Sequence, residues 1–182
     1  MDEIVCLGWG SLIWCQKALP VAGAWQADGP ALPIEFARES VDHRITLVVC
    51  EGAPAVTTLW ARLDVAGLDA AKAALRTREG CQPGAIGWWS PDSASQHAGA
   101  EVIGNWAVER NFAGVVWTAL KPKIGADYRT PTQDEVVGHL GRLRDVERDA
   151  AEEYVRLAPR QIVTPYRTAI EGRLGWTPTG LI

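Results

Sequence analysis

Two glycines that follow a short apolar strand constrain the fold of this chain more than any other feature. Residues 4–7 are apolar, and Gly8 and Gly10 come directly after them with one tryptophan between. Neither glycine carries a Cβ, so the backbone can turn sharply there and approach closely whatever it faces. Exposed N–H groups in such a turn bind a carboxylate or an oxyanion. We therefore expect an anion-binding turn directly after the first strand.

Length and composition limit the class of protein. A chain of 182 residues is long enough for a sizeable core, and we expect a single domain over residues 1–182. The net charge of −4 and the pI near 5.4, with no cluster of Lys and Arg, argue against nucleic-acid binding. Nine tryptophans are a high number, and we expect most of them in the core because an exposed indole is costly.

Several features favour a cytoplasmic protein. The start, Met1-Asp2-Glu3, lacks the basic residues of a signal peptide, and no apolar run approaches the ~20 residues that cross a membrane. Cys6, Cys15, Cys50 and Cys81 are scattered without a C-x-x-C pair, and the three histidines are equally dispersed. We therefore expect free thiols, no metal site and no membrane partner. Oligomeric state has no signal in the sequence.

The periodicity of apolar residues predicts strands first and helices later. Predicted strands cover residues 4–7, 32–40, 45–50, 56–63 and 114–120, with a hairpin connection at 51–54. Predicted helices cover 68–78, 103–112 and 165–174, and a longer one begins at the capping box of Thr132 and Glu135 and runs to about Leu157. Residues 90–100 form a polar loop. This order favours an α+β fold.

Glu79 is the candidate acid of the chain. It lies at the end of the predicted helix over 68–78, just before Gly80, where the helix macrodipole is unfavourable to a carboxylate. An unfavourable placement hints at a chemical role, although frayed, exposed glutamates at helix ends are common.

The glycine turn does not match the best-known phosphate-binding motifs. A dinucleotide fingerprint needs Gly or Ala where Ile13 stands, and no Gly-Lys-Ser/Thr follows for a phosphate loop. Ser11 as the nucleophile of a hydrolase is a weaker alternative, because the G-x-S-x-G elbow is absent.

Three short segments, in order, resemble the gamma-glutamylcyclotransferase-like family, and most closely its ChaC-type, glutathione-degrading branch. Residues 8–14, Gly-Trp-Gly-Ser-Leu-Ile-Trp, are similar to the family's glycine-tyrosine-glycine-serine-leucine signature. Residues 40–44, Ser-Val-Asp-His-Arg, resemble that branch's serine-x-aspartate-histidine-arginine segment. Residues 75–80, Leu-Arg-Thr-Arg-Glu-Gly, are similar to the helix end that carries the catalytic glutamate. The resemblance covers about residues 4–80.

The resemblance implies a small mixed β-barrel flanked by helices and the release of 5-oxoproline from a gamma-glutamyl compound, glutathione first among them. Carried over by position, Glu79 is the catalytic acid and base. Trp9, Gly10, Ser11 and Leu12 form the substrate-binding turn, and Arg44 pairs with a substrate carboxylate. The chemistry needs neither a metal nor another cofactor.

Two departures from the family pattern leave the substrate open. Trp9 replaces the usual tyrosine, and Gly80-Cys81-Gln82-Pro83 stands where the ChaC-type branch has a glycine-glycine-tyrosine stretch. The alternatives are a non-catalytic module that retains the cleft for a small acid or a partner protein, and a structural ion pair of Arg44 with Asp42.

Overall fold

The computed structural model describes residues 3–180. The predicted absence of a signal peptide rests partly on Met1 and Asp2, which lie outside the described residues. The predicted α+β class is confirmed. The elements follow one another as β1 (Ile4–Gly8), β2 (Val21–Gln26), β3 (Ala31–Glu39), β4 (Ile45–Val49), β5 (Ala55–Thr57), β6 (Leu59–Leu63), α1 (Leu68–Glu79), β7 (Ile86–Ser90), β8 (Ser93–Ala94), α2 (Ala100–Glu109), β9 (Gly114–Thr118), α3 (Gln133–Arg142), α4 (Asp145–Leu157) and α5 (Pro165–Leu174).

The chain divides into two compact units. The first comprises the chain up to Gly8, Leu12–Leu32 and Thr57–Leu120; the second comprises Trp9–Ser11, Pro33–Val56 and the chain from Lys121 onward. The expectation of one domain over residues 1–182 stays a prediction. Within residues 3–180, no helix has both the length and the apolar composition that crossing a bilayer requires.

The first unit is built on a six-stranded sheet in the order β2-β6-β1-β9-β7-β8. The central strand β1 runs antiparallel to β6 and parallel to β9, and all five of its residues are buried. A strand that is covered on both faces reads as a continuous apolar run, which is why β1 is legible in the sequence. Helices α1 and α2 pack on this sheet against β7 and β9.

A tryptophan of β9 fills the space over a glycine of β7. Trp117 is fully buried and lies opposite Gly87 in the antiparallel pair. A Cβ on Gly87 would lie 2.1 Å from Cε2 of Trp117, so only glycine fits beneath the indole. The glycine also breaks the apolar pattern of β7, so β7 was not predicted.

The second unit contains a three-stranded sheet in the order β4-β3-β5 and helices α3, α4 and α5. Because β4 and β5 lie on opposite sides of β3, the prediction of a hairpin at residues 51–54 is wrong. Both sheets are open among the described residues, so the predicted β-barrel is also wrong.

One predicted strand and one predicted helix are each divided into two elements in the structure. The strand over 56–63 breaks at Thr58, whose amide and hydroxyl both donate to the carbonyl of Pro30, at 3.2 and 2.8 Å. The helix over 132–157 breaks between α3 and α4, where the Arg144 guanidinium donates to the carbonyls of Gly141 and Leu143. Val146, placed in the predicted apolar stripe, is 79 % exposed as a result.

The other predicted strands and helices are confirmed, with small shifts of their boundaries. The strands at 4–7, 32–40, 45–50 and 114–120 are present as β1, β3, β4 and β9, and the helices at 68–78, 103–112 and 165–174 as α1, α2 and α5. The capping box of Thr132 and Glu135 opens α3. The predicted loop at 90–100 contains the two-residue strand β8, and β2 was not predicted because it is mostly exposed and contains glycine.

A buried arginine holds the C-terminal part of the second unit together. Arg167 on α5 is 2 % exposed. Its guanidinium donates to four carbonyls just beyond or within the end of α4, those of Val155, Ala158, Pro159 and Ile162. Its Nε also donates to the carboxylate of Glu171, at 3.1 Å. A helix end that lacks intrahelical partners for its carbonyls is thus satisfied by a side chain from the next helix.

Replacing Arg167 with methionine is expected to lower the free energy of unfolding by about 3 to 5 kcal/mol, because it removes the partners of several buried acceptors. Arg173→Met is the matched control, since Arg173 lies on the same helix in an exposed ion pair with Asp134. The control should lose less than about 1 kcal/mol. Urea unfolding followed by circular dichroism measures both, and equal losses would contradict the role given to Arg167.

Candidate functional site

The glycine turn begins at a position that has no room for a side chain. Gly8 ends β1, and a Cβ there would lie 2.6 Å from Cζ3 of Trp25 and 2.8 Å from Cδ1 of Ile13. Both neighbours belong to the first unit, as does Leu12, whose side chain is buried. The first unit therefore fixes both ends of the turn, the residue that enters it and the residue that leaves it.

The second glycine of the turn lies against a tyrosine of α4. A Cβ on Gly10 would lie 2.5 Å from the hydroxyl oxygen of Tyr154. The same hydroxyl accepts a hydrogen bond from the amide of Leu47 on β4, at 3.2 Å. The ring of Tyr154 also packs edge-on against Phe36. Gly10 is thus required by close packing within the second unit.

Trp9 ties the turn to the same strand. Its indole Nε1–H donates to the carbonyl of Leu47, at 3.2 Å, and the side chain is 5 % exposed. Both the amide and the carbonyl of Leu47 are therefore held by aromatic side chains, those of Tyr154 and Trp9. The polar atom of the Trp9 indole thus donates to the protein's own backbone.

Arg44 lies beside this aromatic group and pairs with Asp42. A guanidinium nitrogen of Arg44 is 2.6 Å from the Asp42 carboxylate, which is the structural ion pair weighed as an alternative. Burial opposes the charge of Asp42, but the hydrogen bonds from Arg44 and Ser40 outweigh it and lower the pKa of that carboxyl. The guanidinium carbon is 5.6 Å from the centre of the Tyr154 ring. Nε of Arg44 is buried and has no hydrogen-bond partner among the described residues.

Glu79 is the last residue of α1 and is held by the arginine that precedes it. The Arg78 Nη1 is 2.7 Å from Oε1 of Glu79, and the two side chains are 6 % and 14 % exposed. Helix α1 ends here because Gly80 adopts the left-handed conformation, with φ of 62°, and its amide donates to the carbonyl of Arg76. Glu79 is therefore a partly buried, ordered carboxylate and not a frayed one.

The Arg78–Glu79 pair also meets the chain on both sides of the glycine turn. The Arg78 Nη2 donates to the carbonyl of Cys15, at 2.5 Å, in the segment that leaves the turn. On β1, which leads into the turn, burial raises the pKa of the Cys6 thiol and the charge of Glu79 raises it further. Within the first unit, the end of α1 thus lies against the two chain segments that carry the turn.

The structure groups the predicted site residues by unit. Trp9, Gly10 and Arg44 gather around Leu47 and Tyr154 in the second unit, with Ser11 in the same segment as Gly10. Glu79 and Leu12 belong to the first unit. Sequence reasoning missed Tyr154, whose place in an apolar helical stripe predicts burial but not its neighbour.

Among residues 3–180, no group of three or more His, Cys, Asp or Glu side chains is arranged to hold a metal ion. All four cysteines are free; Cys6 and Cys50 are buried, Cys81 is half-buried and Cys15 is exposed.

No model of a known family matches the sequence, and no curated protein matches it significantly.

A double-mutant cycle tests the contact of Gly10 with Tyr154. Gly10→Ala should lower the free energy of unfolding by about 1 to 3 kcal/mol, because the new Cβ overlaps the tyrosine hydroxyl. In the background of Tyr154→Phe the hydroxyl is gone and the ring carbon Cζ is 3.5 Å from the new Cβ, so the same change should cost less. Thermal and urea unfolding of the four proteins gives a coupling of at least about 0.5 kcal/mol. Strict additivity would show that the hydroxyl does not limit position 10.

Removing the Arg78 guanidinium is expected to destabilise the first unit. Arg78→Met removes the guanidinium that donates to the Glu79 carboxylate and to the Cys15 carbonyl. The free energy of unfolding should fall by about 3 kcal/mol. The control is Arg76→Met, because Arg76 is an exposed arginine in the same helical turn. Chemical unfolding measures both variants. A loss in Arg78→Met no larger than that of the control would refute an anchoring role.

Proposed function

We propose that this protein is a cyclotransferase that releases 5-oxoproline from a gamma-glutamyl compound, with Glu79 as general base and then general acid. The proposal rests on the three ordered motifs and on one observation above all. A buried guanidinium orders Glu79 and joins the end of α1 to the segment that leaves the glycine turn. The proposal includes kinship with the gamma-glutamylcyclotransferase fold, in a form whose two sheets are open.

The reaction begins with the α-amine of the substrate. This amine has a pKa near 8 and is largely protonated at neutral pH, so it cannot attack before it loses a proton. The Glu79 carboxylate accepts that proton, and the amine nitrogen forms a bond to the γ-carbonyl carbon of the same glutamyl group. The carbonyl π electrons move to oxygen, which gives a five-membered ring with an oxyanion.

Collapse of this intermediate completes the exchange. The oxyanion re-forms the carbonyl, and the bond to the amide nitrogen breaks as Glu79 returns its proton to the departing amine. The ring nitrogen carries a positive charge and two hydrogens after its attack and loses one proton to water. The released amine takes up a proton from water, so the products are neutral lactam and an ammonium group. General acid–base catalysis of this kind contributes roughly 10² to 10⁴ in rate. Confinement of the flexible glutamyl chain near the ring-closing geometry supplies much of the rest.

The residues of the turn take the binding role in this proposal. Backbone N–H groups at Gly10, Ser11 and Leu12 receive the α-carboxylate of the substrate or the developing oxyanion; removal of one oxyanion donor typically costs about 3 to 4 kcal/mol. Trp9 contributes by fixing the turn to β4 through Leu47. The Arg44 side chain is 34 % exposed, so its guanidinium can receive a substrate carboxylate at its exposed part while Asp42 holds one of its terminal nitrogens.

We place the reaction in the cytoplasm, with glutathione as the first substrate to test and other gamma-glutamyl peptides or amines next. Four unpaired cysteines are typical of a reducing compartment, where glutathione is kept as a thiol.

The test is 5-oxoproline release by the wild type and Glu79→Gln on a panel of gamma-glutamyl compounds. Glu79→Gln should lower kcat by about 10² to 10⁴ while glutathione binding, measured by calorimetry, is kept. The matched control is Glu109→Gln, because Glu109 is an exposed glutamate at the last position of α2 in the same unit. It should retain the wild-type rate.

Three results would contradict the proposal. Binding without turnover by the wild type would favour the non-catalytic module. Equal rates for wild type and Glu79→Gln would remove Glu79 from the mechanism. Covalent trapping of Ser11 by a serine-directed phosphonate would favour a hydrolase.

A further inference from the structure

A cavity of about 300 Å³ lies between α1 and β7 in the first unit, apart from the residues assigned to the proposed reaction. Two cations of α1, Lys72 and Arg76, form one side of it. Pro83, Ile86 and Trp88 form most of the other side, and no carboxylate is among the residues that line it. The volume is at the lower end of the range of small-molecule sites, about 300 to 1,000 Å³.

The two cations are placed to act together. Residues four apart on a helix are neighbours on one face, so Lys72 and Arg76 project toward the same region. The Lys72 ammonium is also fixed, because it lies 4.8 Å from the centre of the Trp88 ring. A cation held over an indole in this way loses less side-chain freedom when it binds an anion.

The opposite wall is apolar. Ile86 is 3 % exposed, whereas Trp88 is half-buried and Pro83, which begins a single 3-10 turn at Pro83–Ala85, is exposed. Pro83 and Trp88 offer surface for a compact hydrocarbon body, and an indole favours an aromatic one. The cavity therefore pairs an anion-binding side with an apolar side.

The Asp69 carboxylate already pairs with the Lys72 ammonium and would compete with a ligand anion for it. Asp69 lies 2.6 Å from the Lys72 ammonium, but its side chain is 95 % exposed. An ion pair so open to water is weak, so a ligand carboxylate that also buries an apolar body can displace Asp69.

We propose that this cavity is a binding site for a small aromatic carboxylate, whose anion is bound by Lys72 and Arg76 and whose ring packs on Pro83 and Trp88. The site does not depend on Glu79, and its occupancy is measurable whether or not the protein turns over a gamma-glutamyl compound.

The probe is 2-naphthoate, with the neutral 2-naphthamide as its matched ligand, titrated into the full chain by isothermal calorimetry. The wild type should bind naphthoate roughly tenfold more tightly than the amide, because a charge-assisted contact is lost in the amide. Binding should weaken as salt is raised. No naphthoate binding, or equal affinity for the two ligands, would overturn the proposal.

Variants locate the binding in this cavity. Lys72→Gln and Arg76→Gln should each weaken naphthoate binding about fivefold to tenfold, whereas Asp69→Asn should tighten it about twofold to fivefold by removing the competing anion. Arg142→Gln, an exposed arginine on α3, makes the same change of charge elsewhere and should leave the affinity unchanged. All four changed residues have partly or fully exposed side chains, and equal melting temperatures confirm that each variant is folded. Affinity that does not respond to Lys72→Gln and Arg76→Gln would place naphthoate elsewhere.

Discussion

The proposed chemistry depends on one buried guanidinium. Arg78 is almost fully covered, and a buried charge is tolerated only where it is paired and hydrogen-bonded. Its two terminal nitrogens contact Glu79 on its own helix and the carbonyl of Cys15 in the segment after the glycine turn. Because that carbonyl is main chain, the contact fixes backbone position and not only a side chain. The candidate acid is thereby ordered and joined, within the first unit, to the chain segment that follows the glycine turn.

The second unit applies a different constraint to the same turn. Tyr154 and Trp9 hold the amide and the carbonyl of Leu47, and Gly10 lies so close to the tyrosine hydroxyl that a side chain would overlap it. This packing holds the turn in place, which supports the anion-binding role proposed for it, because donors already in position need no reorganisation when charge develops. The glycines therefore do more than permit a sharp turn. Because they lack a Cβ, the side chains of Trp25 and Tyr154 can pack directly against the backbone of the turn.

The sequence predicted those parts of the fold that follow from local pattern. The buried strand β1 reads as an apolar run, and α1 reads as a helix closed by Gly80. It failed where a contact distant in the chain overrules the pattern: Thr58 interrupts an alternating strand because its hydrogen bonds go to Pro30. It also failed at a local break: Leu143 and Arg144 are extended between α3 and α4, and Arg144 donates to the carbonyls of Gly141 and Leu143, although the apolar spacing of the sequence continues beyond them. The position of β5, beside β3 and not beside its neighbour in sequence β4, is a longer-range choice that no local signal specifies.

The same division holds for the candidate site. Glu79 and the glycine turn were found from short motifs, whereas Tyr154 was not, because its role comes from a contact with a residue 144 positions earlier in the chain. Arg44 illustrates a case in which sequence reasoning left two readings open, and its ion pair with Asp42 is present without using Nε. Motifs locate the groups that do chemistry; packing decides which side chains support them.

Chemical rescue tests the central claim most directly. In Glu79→Ala the carboxylate is removed and a space is left, so 5-oxoproline release from glutathione should fall by about 10² to 10⁴ and return in part as acetate is added. Acetate should leave the wild-type rate unchanged. Wild-type speed in Glu79→Ala without acetate, or no 5-oxoproline from the wild type itself, would contradict the assignment of Glu79 as the group that moves the proton.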